Sequence, residues 1–286
     1  MDAAPGPAMA DDGSGVSHVR IRLDVGYDGT DFVGWAAQPG QRTVAGTLHD
    51  VLDRILGGVS GLTVAGRTDA GVHATGQVCH VDARADRWAA IEATAVHRLA
   101  GLLPADVRVY ATSVVPPSFD ARFAALYRRY AYRISDSGWG SPVLRHRDTL
   151  AWPRPLSLER LNEAAAALLG EHDFAAFCRR KEHATTIRAI SELSWRRDPD
   201  GIVVATVQAD AFCQAMVRSL VGALLPVGDG RKAVDWPGAM LTRTVRASEI
   251  VVAPPHGLTL VEVGYPADAA QYAARAERTR NLRKRA

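Results

Sequence analysis

No apolar run in this 286-residue sequence approaches the ~20 residues a bilayer-spanning helix needs. Cysteine is scarce: Cys79, Cys178 and Cys213 lie far apart, in apolar contexts, with no CxxC and no paired His/Cys spacing. That excludes a disulfide framework and a zinc site as expectations, and leaves three buried thiols acting as small hydrophobes. The phosphate loop GxxxxGK[ST], a strand-borne GxGxxG and the GxSxG elbow are all missing. Lysine is nearly missing too, since 31 of the 34 basic residues are arginine. The first 17 residues lack the basic start and apolar middle of a signal peptide. They are read as a disordered tail on a cytoplasmic protein.

Net charge is only +3, but it is unevenly spread. Residues 270–286 hold five arginines and a lysine against one glutamate, while Asp2, Asp11 and Asp12 sit in the first 17. The body between is close to neutral. A polyanion partner would need local clusters, and these exist: Arg128-Arg129, Arg145-His146-Arg147, Arg179-Arg180-Lys181 and Arg196-Arg197. Arginine suits bidentate phosphate contact better than lysine.

The apolar pattern predicts strands over 19–27, 61–66, 76–83, 106–115, 125–134 and 259–264, with a hairpin of 187–197 and 201–209. Helical spacing predicts helices over 44–56, 88–102, 157–169 and 211–227. Strands adjoin each other as often as helices, which argues for α+β with mixed or antiparallel sheets. Pro116-Pro117 marks the expected domain boundary. The expected organisation is a tail over 1–17, domains over 18–115 and 116–268, and a basic tail over 269–286.

Three segments carry candidate chemistry. In "VAGRTDAGVHATGQVCHV" two glycines bracket Arg67 and Asp69. Asp69 is either a turn-former or a reactive carboxylate, since Asp and Gly both favour turns. His73 either hydrogen-bonds within its loop or contacts phosphate. In "FDARFAALYRRYAYRI" strand alternation puts Tyr130 and Tyr132 on one face and Arg129 and Arg133 on the other. That is either ordinary strand packing or a surface that stacks a base and holds its phosphates. In "DAFCQAMVRSLVGALLPVG" Arg218 lies on an otherwise apolar helix, on the Gln214–Arg218–Gly222 stripe. A buried guanidinium needs a partner, which is a structural acid, water, or Asp69. Gly222 leaves room for another element to approach. An aspartate-dependent hydrolase would need a second carboxylate or a metal, and no spaced acidic pair stands in these segments.

Together these segments resemble the tRNA pseudouridine synthase A family. "AGRTDAGVHATGQV" is similar to its catalytic motif, "YDGTDFVGWAAQ" to its N-terminal signature, and "HGLTLVEVGY" to its closing strand. The matches run in order from about residue 20 to 265. Departures occur at Ala36, where the family has Gln, and in the segment before Leu102-Leu103-Pro104. The resemblance implies a pseudouridine synthase fold: two similar α/β domains with mixed, largely antiparallel sheets flanking a central catalytic cleft. It implies uridine-to-pseudouridine isomerisation at positions 38, 39 and 40 of the tRNA anticodon stem–loop, by a homodimer, without cofactor or metal. It further implies Asp69 as nucleophile, Tyr130 stacked on the target uracil, and Arg218 paired with Asp69. Arg67, His73, Arg128, Arg129, Arg179, Arg180, Lys181 and Leu258 are the expected RNA or substrate contacts.

Overall fold

A computed structural model of the chain describes residues 10–11, 17–179 and 185–284. The chain divides into two compact units. One comprises Met1–Ala70, Ala74–Leu126 and Val263–Leu282; the other comprises Gly71–His73, Tyr127–Glu262 and Arg283–Ala286.

The first unit holds β1 (Ala10–Asp11), β2 (Ser17–Tyr27), α1 (Val44–Leu56), β3 (Val59–Val64), most of β4 (His73–Arg84), α2 (Ala85–Ala89), α3 (Ala95–Leu102) and β5 (Val107–Val115). Strand β2 is flanked by β4 and β5, both antiparallel, and β3 lies antiparallel on β4. The stripe Val44–Leu48–Leu52–Leu56 buries one face of α1, which packs on β3 and α3. Thr43 caps the helix by accepting from the Gly46 amide at 3.2 Å.

The tail over 1–17 falls mostly outside the described residues; of it, Ala10 and Asp11 pair antiparallel with His18 and Ser17. One expectation is corrected here. The single helix over 88–102 is instead α2, a 3-10 turn over Glu92–Thr94, and α3. The Thr94 hydroxyl donates to the Ile91 carbonyl at 3.2 Å, a local bond that competes with a continuous ladder.

The second unit holds β6 (Tyr127–Ser135), β7 (Leu150–Ala151), α4 (Leu158–Ala166), β8 (Gly170–Asp173), β9 (Ile187–Arg197), β10 (Val203–Ala209), α5 (Met216–Gly228), α6 (Trp236–Ala239) and most of β11 (Leu258–Gly264). Its sheet runs β11–β6–β10–β9–β8, with β7 parallel on β6. Apart from that short pair, the registered ladders of both units are antiparallel. This is the α+β class that adjoining strands imply.

Helix α5 begins at Met216, five residues later than its apolar spacing predicts. Ala215 precedes it at φ 63°, the one non-glycine residue with positive φ among those described. Gln214 therefore lies outside the helix, in a bridge with Arg179. Cys178 and Cys213, expected as separate thiols, are joined in a disulfide with Cα atoms 5.6 Å apart. They lie 35 residues apart in the chain, so their spacing carries no trace of the pairing. The Arg179–Gln214 bridge lies directly beside the pair. Cys79 is buried and free, as expected.

The basic tail forms α7 (Gln271–Lys284). In the first unit it docks on residues 119–125. Tyr272 meets Phe119 edge-on at 5.2 Å, Ala276 is buried, and Arg280 reaches Asp120 at 2.7 Å while lying over the Phe123 ring.

His80 on β4 predicts a pH dependence of stability. Its buried ring accepts from the Ala121 amide through Nδ1 at 3.1 Å, so that nitrogen carries no proton. Burial, and then Arg20 nearby, lower its pKa from 6.5 to about 4; Asp120 and Asp82 only partly oppose this. Between those two values the unfolded chain binds a proton that the folded one does not. Stability should therefore fall as pH drops from 6.5 to 4, by roughly 3 kcal/mol from this residue. Urea unfolding at pH 7 and pH 4.5 measures it. His80→Gln should flatten that difference, and an equally steep loss in the variant would rule His80 out as its source.

Candidate active site

In the first unit the loop 65–70 is fixed by buried polar groups of β2 and β4. The Ala65 amide donates to the Val78 carbonyl at 2.8 Å. The Gln77 side chain, fully buried, donates to the Gly66 carbonyl at 2.8 Å and to the Tyr27 hydroxyl at 3.2 Å. Tyr27 and Thr68 share a hydrogen bond of 2.7 Å between hydroxyls. The Thr68 carbonyl accepts from the Trp35 amide at 3.1 Å. Trp35 is itself buried, its ring 5.9 Å from that of Tyr27. Thr68 is thus buried and gripped at both ends. Its neighbours differ: Arg67 is exposed and Asp69 is half-buried.

This grip bears on the two readings of the loop without deciding the role of Asp69. A plain turn needs no such set of buried partners, because buried polar groups are costly unless paired. Here four residues from three segments, Tyr27, Trp35, Gln77 and Val78, hold the backbone around one half-buried carboxylate. Arg122 stands near Arg67, and burial together with that like charge holds Arg122 below the usual guanidinium range. It was not among the residues the sequence pointed to.

In the second unit β6 carries Tyr130. Its ring is buried and meets Phe212 edge-on at 5.3 Å. Arg218 lies in the first turn of α5 and is half-buried. Its Nε donates to the Ala253 carbonyl at 2.7 Å. A Cβ at position 222 would overlap the Val251 carbonyl oxygen, so the element expected to approach Gly222 is the segment around Val251. Leu258 opens β11 and is buried.

The remaining expected contacts are placed unevenly. His73 is buried, and its Nε2 lies 2.8 Å from the Arg147 carbonyl. A carbonyl only accepts, so Nε2 carries the proton. Arg128 is buried and donates to the Asp210 carbonyl at 2.9 Å. Arg129 pairs with Glu262, which also accepts from Tyr127, and lies 3.6 Å from Glu192. Arg179 is exposed. Arg180 and Lys181 lie outside the described residues. Among the described residues no cluster of three His, Cys, Asp or Glu side chains could hold a metal ion.

Comparison with known proteins gives the family of the chain. Residues 164–266 match a family model described as tRNA pseudouridine synthase, which sets the class. Proteins called tRNA pseudouridine synthase A are similar over nearly the whole chain. That of Frankia casuarinae is 58% identical, over 93% of this chain and 96% of its own length. That of Streptomyces griseus is 54% identical, over 93% and 94% respectively. That of Mycobacterium leprae is 48% identical, over 93% and 96%. The chain belongs to the tRNA pseudouridine synthase A family.

Proposed function

We propose that this chain converts uridine to pseudouridine at positions 38, 39 and 40 of the tRNA anticodon stem–loop, with Asp69 as nucleophile. Membership of the family makes it an isomerase acting on uridines of tRNA. The position in the tRNA and the mechanism are the proposed part. The positions rest on the resemblance of the motifs, and the observation that supports the mechanism is the gripped loop: Thr68, held by Tyr27 and by the Trp35 amide, presents a half-buried carboxylate one residue on.

The reaction breaks the bond from the ribose C1′ to uracil N1 and forms one from C1′ to C5. A proton leaves C5 and one arrives at N1, so atoms balance without redox chemistry or a cofactor. An ionised carboxylate supplies the nucleophile, attacking either C6 of the ring or C1′ of the sugar. Arg218 pairs with Asp69 and keeps it ionised where water is excluded. The uridine must leave its stack, and Tyr130 receives the uracil on its face while Phe212 holds the ring's orientation. Leu258 lines the pocket.

Arg67 and Arg179, both exposed, contact RNA, with Arg180 and Lys181 continuing the basic segment. Arg128, Arg129 and His73 have protein partners, so they join this reading as residues that shape the surface. The protein works as a cytoplasmic homodimer. No helix among the described residues is long and apolar enough to cross a membrane.

The test is carbodiimide mapping of pseudouridine in unmodified tRNA transcripts incubated with the protein. Stops are expected at positions 38, 39 and 40 of those transcripts that carry uridine there. Stops confined to other loops would refute the assignment.

A further inference from the structure

The segment Ala253–Gly257 has few donors of its own. Pro254 and Pro255 lack an amide hydrogen, and the Ala253 amide is committed to the Arg218 carbonyl at 3.0 Å. Its three consecutive carbonyls are nevertheless all met, each by a different element. Ala253 accepts from Arg218 Nε of α5 at 2.7 Å. Pro254 accepts from the Tyr132 hydroxyl of β6 at 2.8 Å. Pro255 accepts from the Leu258 amide at the start of β11.

Tyr132 is fully buried, two residues from Tyr130 on the same face of β6. Its ring lies against Gly257, where a Cβ would come within 2.6 Å of it. Burial pushes its phenol up from the ordinary value, so the hydroxyl stays a donor at working pH. The carbonyl it holds is next in the chain to the one that holds Arg218.

A guanidinium is planar, so fixing Nε fixes the plane in which both terminal nitrogens lie. We propose that Tyr132 is a positioning residue for Arg218: by anchoring the Pro254 carbonyl it sets the Ala253 carbonyl, and through it the plane of the guanidinium. The same turn abuts the segment that follows Asp69 in sequence, with Pro255 against Gly71. Tyr132 touches no reacting atom. It acts by keeping the terminal edge of Arg218 on the carboxylate, and this rests on the reading of Arg218 given above.

The test is a double-variant cycle in steady-state kinetics with tRNA. Tyr132→Phe keeps the ring on Gly257 and removes only the hydroxyl. It should lower kcat about tenfold and leave KM for tRNA within about twofold, a split that general loosening would not give. Arg218→Lys should itself be slow, because a point charge replaces the fork. Adding Tyr132→Phe to it should cost less than about twofold more, since the plane being set no longer exists. Wild-type kcat in Tyr132→Phe, or a full further tenfold loss in the double variant, overturns the role of Tyr132 alone. Wild-type kcat in Arg218→Lys overturns the reading of Arg218, and the role of Tyr132 with it.

Discussion

Asp69→Asn should abolish pseudouridine formation, lowering kcat by at least about 10³-fold, while tRNA binding stays within a few-fold of wild type. Asparagine has the shape of aspartate, and the loop that presents it is held by other groups. The Gln77 amide, the Tyr27 hydroxyl and the Trp35 amide all bind residues 66 and 68, so the backbone has no reason to move. What disappears is the ionised oxygen. An amide cannot form the covalent bond that lets the uracil detach and rejoin through carbon. Affinity should survive because it comes mainly from arginines on phosphates, of which Arg67 is exposed beside the loop. Product measured by mass spectrometry and binding measured by filter retention separate the two. Turnover near the wild-type rate would remove Asp69 from the chemistry. Loss of binding in parallel with activity would make it an RNA contact instead.

Much of this was legible in the sequence, because periodicity reports burial. The stripe of α1 and the alternation of β6 both follow from it, down to Tyr130 and Tyr132 sharing a face. The motif around Asp69 was legible as a motif. Its supports were not, because Tyr27 and Gln77 lie about 40 residues before it and eight after it, on strands whose pairing no local pattern encodes. The start of α5 was misread for a similar reason. Residues 211–215 continue the apolar spacing, and it takes the positive φ of Ala215 and the bridge from Gln214 to Arg179 to show that they are not helical. Arg128 and Arg129 are expected from the sequence as RNA contacts, and the structure adds protein partners to both. Composition cannot tell an arginine facing solvent from one bound to the Asp210 carbonyl or to Glu262. The sequence also left the partner of Arg218 open. Its Nε bond to Ala253 comes from a chain segment 35 residues on, whose double proline reads only as a turn.

Gly34→Ala should cost catalysis more than stability, and Gly40→Ala the reverse. Both glycines have positive φ, +99° and +70°, so alanine strains the backbone at either site by about 1–2 kcal/mol. Their surroundings differ. A Cβ at 40 meets nothing within 4 Å. A Cβ at 34 falls 2.9 Å from the Thr68 carbonyl oxygen, 3.2 Å from the Ala70 amide and 3.3 Å from the Asp69 carbonyl carbon. All three are backbone atoms of the loop that carries Asp69, so no side chain can swing aside to relieve them. Either the loop shifts by several tenths of an ångström or the bond from the Trp35 amide to Thr68 lengthens. Both displace the carboxylate that follows Thr68. Misplacement on that scale can cost about 10²-fold in rate when attack depends on a near-contact geometry. Gly34→Ala should therefore lose about a hundredfold in kcat with a modestly lower unfolding midpoint. Gly40→Ala should lower the midpoint comparably and leave kcat within about twofold. Equal kcat losses in the two variants would attribute the effect to strain rather than to the position of Asp69. An unimpaired Gly34→Ala would mean that the loop tolerates displacement and that its grip is not what orients the nucleophile.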